Sequence, residues 1–268
     1  YEGIKTEEIA RLAVMTVKAF IEQDPNYSVL TSRLFLSSLY KEVIGKKYQF
    51  SELDQIYKNA FKENIKRGVE IVRLSPALLN FDLNKLAQHL VIDRDNLLTY
   101  RGLQTLYDRY FIYDKNQRLE TPQMFWMRVA MGLSINEIDK ERWTVEFYNV
   151  LSTLRFVSST PTLFNSGTIF PQLSSCYLTT VEDDLHHIFK CISDNAQLSK
   201  FSGGLGNDWS NIRSTGSLIK TTNVESQGVI PFLKIANDTT VAINRSGKRR
   251  GATCAYLETW HLDIEEFL

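Results

Sequence analysis

A change of texture near Phe156 constrains this chain more than any other feature. Upstream of it, apolar residues recur at helical spacing. Ile9, Leu12, Ala13, Val17, Phe20 and Ile21 share one face. Thr6 is placed to cap that helix, with Glu7 and Glu8 in its positive first turn, and Asp24-Pro25 ends it. A second helix runs from Ser28 to Gly45. Ser51 starts a third, with Leu53, Ile56, Tyr57, Ala60, Phe61 and Ile65 on one face and Gly68 as its C-terminal cap. Thr121-Pro122 reads as a helix start before the apolar run Met124 to Leu133, and another helix spans Glu141 to Leu154. Downstream, Ser, Thr, Gly and Pro rise. Short extended pieces alternate with helices over Asp184–Lys200 and Val229–Asn244, the pattern of an α/β core.

Bulk properties narrow the class. A length of 268 residues suits one large domain or two modest ones. Lys+Arg and Asp+Glu are both 31, so no net charge recruits nucleic acid or an acidic membrane. No apolar run approaches the roughly 20 residues a membrane helix needs. Cys176, Cys191 and Cys254 are odd in number and lack CxxC spacing, which argues against a disulfide scaffold and a zinc site and for the cytoplasm. His186, His187 and His261 show no metal-ligand spacing, so no metal site is expected. The chain starts without Met and stops inside a helical pattern at Glu265-Glu266-Phe267-Leu268, so both ends are expected to be cut.

Several stretches carry chemistry, each with a plainer alternative. Cys176, in Gln172-Leu173-Ser174-Ser175-Cys176-Tyr177-Leu178, is either a buried structural cysteine or a redox thiol lined by hydroxyls. Cys191 and Cys254 read as structural. Gly203-Gly204-Leu205-Gly206 is either a helix C-cap and turn or a loop turning backbone N–H groups toward a phosphate. Trp209 at the third glycine's place excludes the dinucleotide fingerprint. Arg245 to Gly251 is a basic loop bracketed by glycines: solvated surface, an anion-closing flap, or a nucleic-acid patch. Asp183-Asp184 can cap the helix that follows. Arg213 and Lys220 flank Ser214-Thr215-Gly216-Ser217.

Taken together, these stretches resemble the large subunit of ribonucleotide reductase. The resemblance rests on Ser158 to Asn165, Gln172 to Leu178, Gly203 to Gly206, Ile212 to Ser217, Gly247 to Ala252 and Tyr256 to Ile264, in that order and spacing. It implies an α-helical N-terminal region followed by the start of an α/β barrel, a ten-stranded reductase barrel of which this chain holds only a part. Residues 1–41 then match the C-terminal part of an ATP-cone, 42–170 a helical domain, and 171–268 the first part of the barrel with its specificity-effector loops.

The resemblance implies reduction of ribonucleoside diphosphates to 2′-deoxyribonucleoside diphosphates by thiyl-radical chemistry. Cys176 matches one of the reducing cysteine pair. Thr160, Ser175, Gly203 and Gly204 match substrate-binding positions. Asp183, Asp184, Leu185, Lys200, Arg213 and Lys220 match the site of the ATP/dNTP allosteric effectors. Lys248, Arg249 and Arg250 match the specificity loop. Thr6 and Lys41 match remnants of the ATP-cone site, although the histidine expected near Ala10 is missing. The implied partners are a metal-containing small subunit that supplies the radical, a second large subunit, and thioredoxin or glutaredoxin as reductant. The chain itself is expected to bind no cofactor. The thiyl-radical cysteine and the partner of Cys176 are not found in it, so alone it is expected to be inactive. A cobalamin-dependent (class II) reductase and a catalytically dead nucleotide-binding fragment are the alternatives.

Overall fold

A computed structural model describes residues 3–45, 50–200, 203–245, 249–250 and 252–268; for Phe50, Asn244, Arg245, Arg249 and Arg250 the description is of the backbone alone. The chain divides into two compact units, Tyr1–Leu173 and Ser174–Leu268.

The first unit is helical: α1 (Thr6–Lys18), α2 (Asn26–Ile44), α3 (Leu53–Glu70), α4 (Leu83–Gln88), α5 (Tyr100–Arg109), α6 (Pro122–Ser134), α7 (Lys140–Ser152) and α8 (Thr160–Asn165). A two-residue hairpin, β1 (Tyr113–Asp114) with β2 (Gln117–Arg118), precedes α6. Thr121 to Met131 are buried without interruption. A mostly apolar helix covered on all sides belongs at the centre of a core, and α6 lies there, with α7 packed along it and Tyr57, Phe61, Leu78, Leu86 and Leu103 in the same cluster. The helices inferred from periodicity are present, with ends displaced by a few residues.

Two capping assignments do not hold. Thr6 is the first residue of α1 and not its cap, since Lys5 takes that place without a side-chain hydrogen bond. Gly68 is not a helix end either. It is buried inside α3, where a Cβ would lie 2.5 Å from Leu74 Cδ1. The chain doubles back there, so that Arg73 and Leu74 both donate to the Gly68 carbonyl at 2.9 Å. Gly68 therefore serves close packing, and the left-handed conformation falls on Val72 (φ 57°).

A buried polar cluster sits beside α6. Asp95 is fully buried and accepts from Tyr40 Oη (2.6 Å), Tyr57 Oη (3.2 Å) and Gln123 Nε2 (2.8 Å). Thr121 donates to the Tyr57 hydroxyl, and Tyr148 donates to Gln123 Oε1 at 2.7 Å. Arg94 stacks over the Tyr148 ring. Burial pushes the Asp95 carboxyl up to about 7 against the pull of its three donors. Between the ordinary carboxylate range and about pH 7 the folded chain therefore holds a proton that the unfolded chain has lost. This contribution to stability is full below that window, falls as pH rises through it, and is gone above. Asp95→Asn is expected to remove that slope, read as the difference between variant and wild-type urea midpoints from pH 4.5 to 8. Parallel pH profiles would refute it.

The second unit is α/β. Its main sheet has three parallel strands in the order β3 (Cys176–Thr180), β4 (Gly204–Asp208) and β9 (Thr253–Tyr256). Helix α9 (Leu185–Lys200) connects β3 to β4, and α10 (Ile230–Ala242) lies on the path to β9. Between them are a hairpin, β5 (Thr215–Ile219) with β6 (Val224–Gln227), and a short ladder, β7 (Asn244–Arg245) with β8 (Arg249–Arg250). A final turn, α11 (Ile264–Phe267), follows. Val181, Ile188, Cys191, Ile192, Trp209, Ile212 and Val229 form a separate core. Among the described residues, the three-stranded sheet is not closed on itself.

Candidate functional site

The parallel register decides which side chains share a face. Cys176 pairs with Gly204, Leu178 with Gly206, and Gly206 with Cys254. Side chains alternate along a strand, so Cys176, Leu178 and Thr180 lie on one face with Gly204, Gly206, Asp208, Cys254 and Tyr256. Exposure follows the register: Cys176, Leu178, Thr180, Cys254 and Tyr256 are exposed, whereas Leu205 and Asn207 on the other face are buried. The covered face packs on helices; Asn195 of α9 donates to Asn207 Oδ1 at 2.7 Å.

The Cys176 thiol is thus on the open face and not sealed in hydrocarbon. Cys191 is buried beside His187 Nδ1 at 3.5 Å, and burial pushes its thiol up. The structural reading of Cys254 is corrected: it is exposed, on the same face as Cys176. Sequence alternation alone does not say which side of Thr253-Cys254-Ala255-Tyr256 the helices cover. The Tyr256 hydroxyl is raised from its ordinary range first by its hydrogen bond with Cys254, with Cys176 adding to the same negative surroundings.

The glycine stretch divides between two roles. Gly203 closes the end of α9, its N–H donating to the Leu198 carbonyl at 3.4 Å, whereas Gly204 opens β4 and donates to the Ser175 carbonyl at 2.6 Å, so the stretch is not a loop with free N–H groups. Each glycine keeps a neighbour close. A Cβ on Gly203 would lie 2.9 Å from the Tyr177 ring, and one on Gly206 2.7 Å from Leu178 and 2.9 Å from Tyr256. A Cβ on Gly204 would stand 3.6 Å from Cys176 Sγ. The flat strip Gly204-x-Gly206 therefore leaves the thiol open beside it. Toward the carboxyl ends of these strands lies a cleft of about 530 Å³ lined by Leu178, Thr180, Gly206, Asp208, Ser210 and Tyr256 among others. Clefts at that end of parallel strands are where α/β proteins bind ligands.

Thr160 lies in the helical unit, as the first residue of α8, half-buried with its hydroxyl 3.3 Å from Tyr110 Oη. Ser175 lies just before β3, half-buried. Of the effector candidates, the structure brings Asp183 and Arg213 together: Arg213 Nε donates to Asp183 Oδ2 at 2.7 Å, with both side chains about a third exposed (33% and 32%). Asp184 caps α9, its Oδ1 accepting from His187 N at 2.9 Å. Leu185 is the exposed first residue of α9, and Lys200 is its last. At about 1.5 Å per residue the helix separates Lys200 from Asp183 by more than 20 Å. Lys220 follows β5 at the hairpin tip, exposed. Lys248 lies outside the described residues; the backbones of Arg249 and Arg250 pair with Arg245 and Asn244. Thr6 and Lys41 are both exposed on the antiparallel α1–α2 pair, at the start of one helix and the last turn of the other.

Sequence reasoning missed the residues that hold these loops. Asp263, buried at 6% exposure, accepts from Thr215 N (2.9 Å) and Val229 N (3.1 Å), and His261 Nε2 donates to the Ile212 carbonyl at 2.7 Å. Together they fasten the segment carrying Arg213. Among the described residues, no group of three or more His, Cys, Asp or Glu is placed to hold a metal ion, and no helix is long and apolar enough to cross a membrane.

Comparison with known proteins agrees along the whole chain. Residues 96–170 match the family described as "Ribonucleotide reductase, all-alpha domain", and residues 174–268 match "Ribonucleotide reductase, barrel domain". The chain is 54% identical over its full length to the ribonucleoside-diphosphate reductase subunit alpha of Chlamydia muridarum, covering 26% of that protein. It is 41% identical to the subunit alpha of Helicobacter pylori (33% covered) and 36% identical to the large subunit of vaccinia virus (34% covered). The chain thus spans about a quarter to a third of the curated relatives it matches. The expected order, a helical region and then the start of a barrel, is what these matches and the open sheet give.

Proposed function

The chain belongs to the ribonucleotide reductase large-subunit family, and we propose that it is part of a class I ribonucleoside-diphosphate reductase in which Cys176 is one of the two reducing thiols. One observation carries the assignment of Cys176: its thiol is exposed on the glycine-floored face of a parallel sheet, at the amino end of β3 and two residues before Leu178, where the lining of the cleft begins.

The chemistry suits that placement. Converting a ribonucleotide to a deoxyribonucleotide breaks the 2′ C–O bond, releases water and consumes two electrons and two protons. Two thiols supply these by becoming a disulfide. A neutral thiol beside the sugar can protonate the departing hydroxyl, and the thiolate left behind is the electron-rich partner for the S–S bond. Thioredoxin or glutaredoxin then restores the thiols. The radical that starts the reaction comes from a metal-containing small subunit, and this chain holds no cofactor of its own. Thr160, Ser175, Gly203 and Gly204 bind the nucleotide. Asp183, Asp184, Leu185, Lys200, Arg213 and Lys220 bind an ATP or dNTP effector across a homodimer, which provides from a second copy what the length of α9 keeps apart in one. Lys248, Arg249 and Arg250 carry effector identity to the substrate. Residues 1–41 are the C-terminal part of an ATP-cone and include Thr6 and Lys41, 42–170 are a helical domain, and 171–268 the barrel's first part. Residues 1–268 do not turn over by themselves, and the whole protein works in the cytoplasm.

The test is deoxyribonucleoside diphosphate formation by the full-length polypeptide with its radical-generating subunit and a dithiol reductant. Product under these conditions supports the assignment. Product only with added adenosylcobalamin moves the protein to the cobalamin-dependent class, and no product under either condition refutes it.

A further inference from the structure

Helix α8, which begins with Thr160, has six residues. So short a helix does not hold its own shape in water, and its last carbonyls have no partner within the helix. Both problems are met by one side chain. Arg128, fully buried in the middle of α6, donates from Nη1 to the carbonyls of Leu163 (3.2 Å) and Ser166 (2.8 Å), at the C-terminal end of α8. A cation is favoured at that end of a helix. Arg128 Nη2 also reaches the Tyr110 carbonyl at 3.4 Å. Tyr110 in turn touches α8 at both ends: its hydroxyl lies 3.3 Å from Oγ1 of Thr160, the first residue, and its ring centroid 4.6 Å from that of Phe164 in the last turn. Both ends of the short helix are thus traced to one guanidinium.

Glu120 sets the orientation of that guanidinium. Its carboxylate takes Arg128 Nε at 2.8 Å and Nη2 at 3.2 Å, and it is itself fixed by the Ile112 N–H at 2.7 Å. A buried ion pair is seldom the most stabilising way to fill a core, since well-packed apolar residues of similar volume do as well or better. What the planar fork provides, and an apolar residue does not, is directed donors to two carbonyls at once.

We infer that Arg128, oriented by Glu120, is a positioning residue that places Thr160 for the phosphates of a nucleoside diphosphate. The inference rests on the reading of Thr160 as a substrate residue. Other fasteners remain without the fork. Ser166 Oγ donates to the Val129 carbonyl at 2.7 Å, Thr162 Oγ1 to the Leu173 carbonyl at 3.0 Å, and Asn165 Nδ2 to the Gln172 carbonyl at 2.7 Å. Loss of the fork should therefore loosen α8 without unfolding the unit.

The experiment uses the full-length subunit with its radical-generating partner and two variants. Arg128→Lys keeps the charge beside Glu120 but loses the fork. Its KM for the nucleoside diphosphate is expected to rise about tenfold, the worth of about one charge-assisted hydrogen bond at the low end of its range, with kcat within about twofold. Nucleoside triphosphate binding, on the other unit, is expected to be unchanged. Tyr110→Phe removes the hydroxyl at Thr160 and is expected to raise KM about threefold by loss of one neutral hydrogen bond. An unchanged KM in folded Arg128→Lys overturns the inference, as does a parallel loss of kcat, KM and effector binding. Should Arg128→Lys fail to fold, an unchanged KM in Tyr110→Phe overturns it. Wild-type protein that binds no nucleoside diphosphate refutes the functional reading itself; wild-type binding with an unaffected variant refutes only the positioning role.

Discussion

Replacing Cys176 by serine is expected to lower multiple-turnover ribonucleotide reduction by about a thousandfold or more in the full-length enzyme. Serine is close to cysteine in size, and the thiol is exposed on the sheet face, where the nearest feature of β4 is the bare backbone of Gly204. The fold should therefore be unaffected. What changes is the chemistry: a hydroxyl can pass a proton but cannot form a disulfide, so the two electrons have no source. Cys254→Ser is the internal control. Cys254 is exposed on the same face, two strands away from Cys176 and displaced along the sheet. From that register its Cα lies roughly 10 Å or more from that of Cys176, beyond the separation a disulfide spans. It should retain activity within about twofold. Activity is measured as deoxynucleotide formed per subunit with a dithiol reductant. Wild-type turnover in Cys176→Ser would remove this thiol from the reaction. Equal loss in both variants would mean that disturbance of the sheet, and not thiol chemistry, is being read.

The helical half of the chain was legible in its sequence because a 3.6-residue period records which side of each helix is covered. Leu53, Tyr57, Phe61 and Ile65 fall on one line, and each of them is buried. The period does not distinguish the two uses of glycine. Gly68 and Gly206 both look like breaks in a pattern, yet both are places where a neighbour comes too close for a Cβ, Leu74 in one case and Leu178 with Tyr256 in the other. Only the tertiary register shows this. Cysteine face assignment failed for a related reason. Cys176 and Cys254 occur in strands of similar alternation, and which side helices cover depends on the connections through α9 and α10, not on the strands themselves. Local capping was legible only in part: Asp184 precedes an apolar period and is the cap it resembles, whereas Thr6 and Gly68 are not. The Asp183–Arg213 pair was half visible, since each residue was singled out separately, but an ion pair across thirty positions has no local signature.

Arg128 was poorly legible, because a charge inside Met124 to Leu133 looks like a break in an apolar helix, and its structural role leads to a large expected effect on stability. Arg128→Met should destabilise the purified chain by about 3–5 kcal/mol, the cost of leaving one member of a buried ion pair without its partner. Glu120 would keep only the Ile112 N–H, and the Leu163 and Ser166 carbonyls would lose their shared donor. Glu120→Leu should be costly for the complementary reason, a guanidinium at 0% exposure facing no carboxylate. The double variant Arg128→Met with Glu120→Leu removes both charges. It should recover much of the loss of either single change, since the desolvation penalty disappears with them. Urea denaturation of the four proteins gives the coupling directly. A large favourable coupling, with the double variant more stable than either single one, is the expected result. Strictly additive losses would show that Arg128 acts by volume alone, and that the carbonyls at the end of α8 do not depend on its charge.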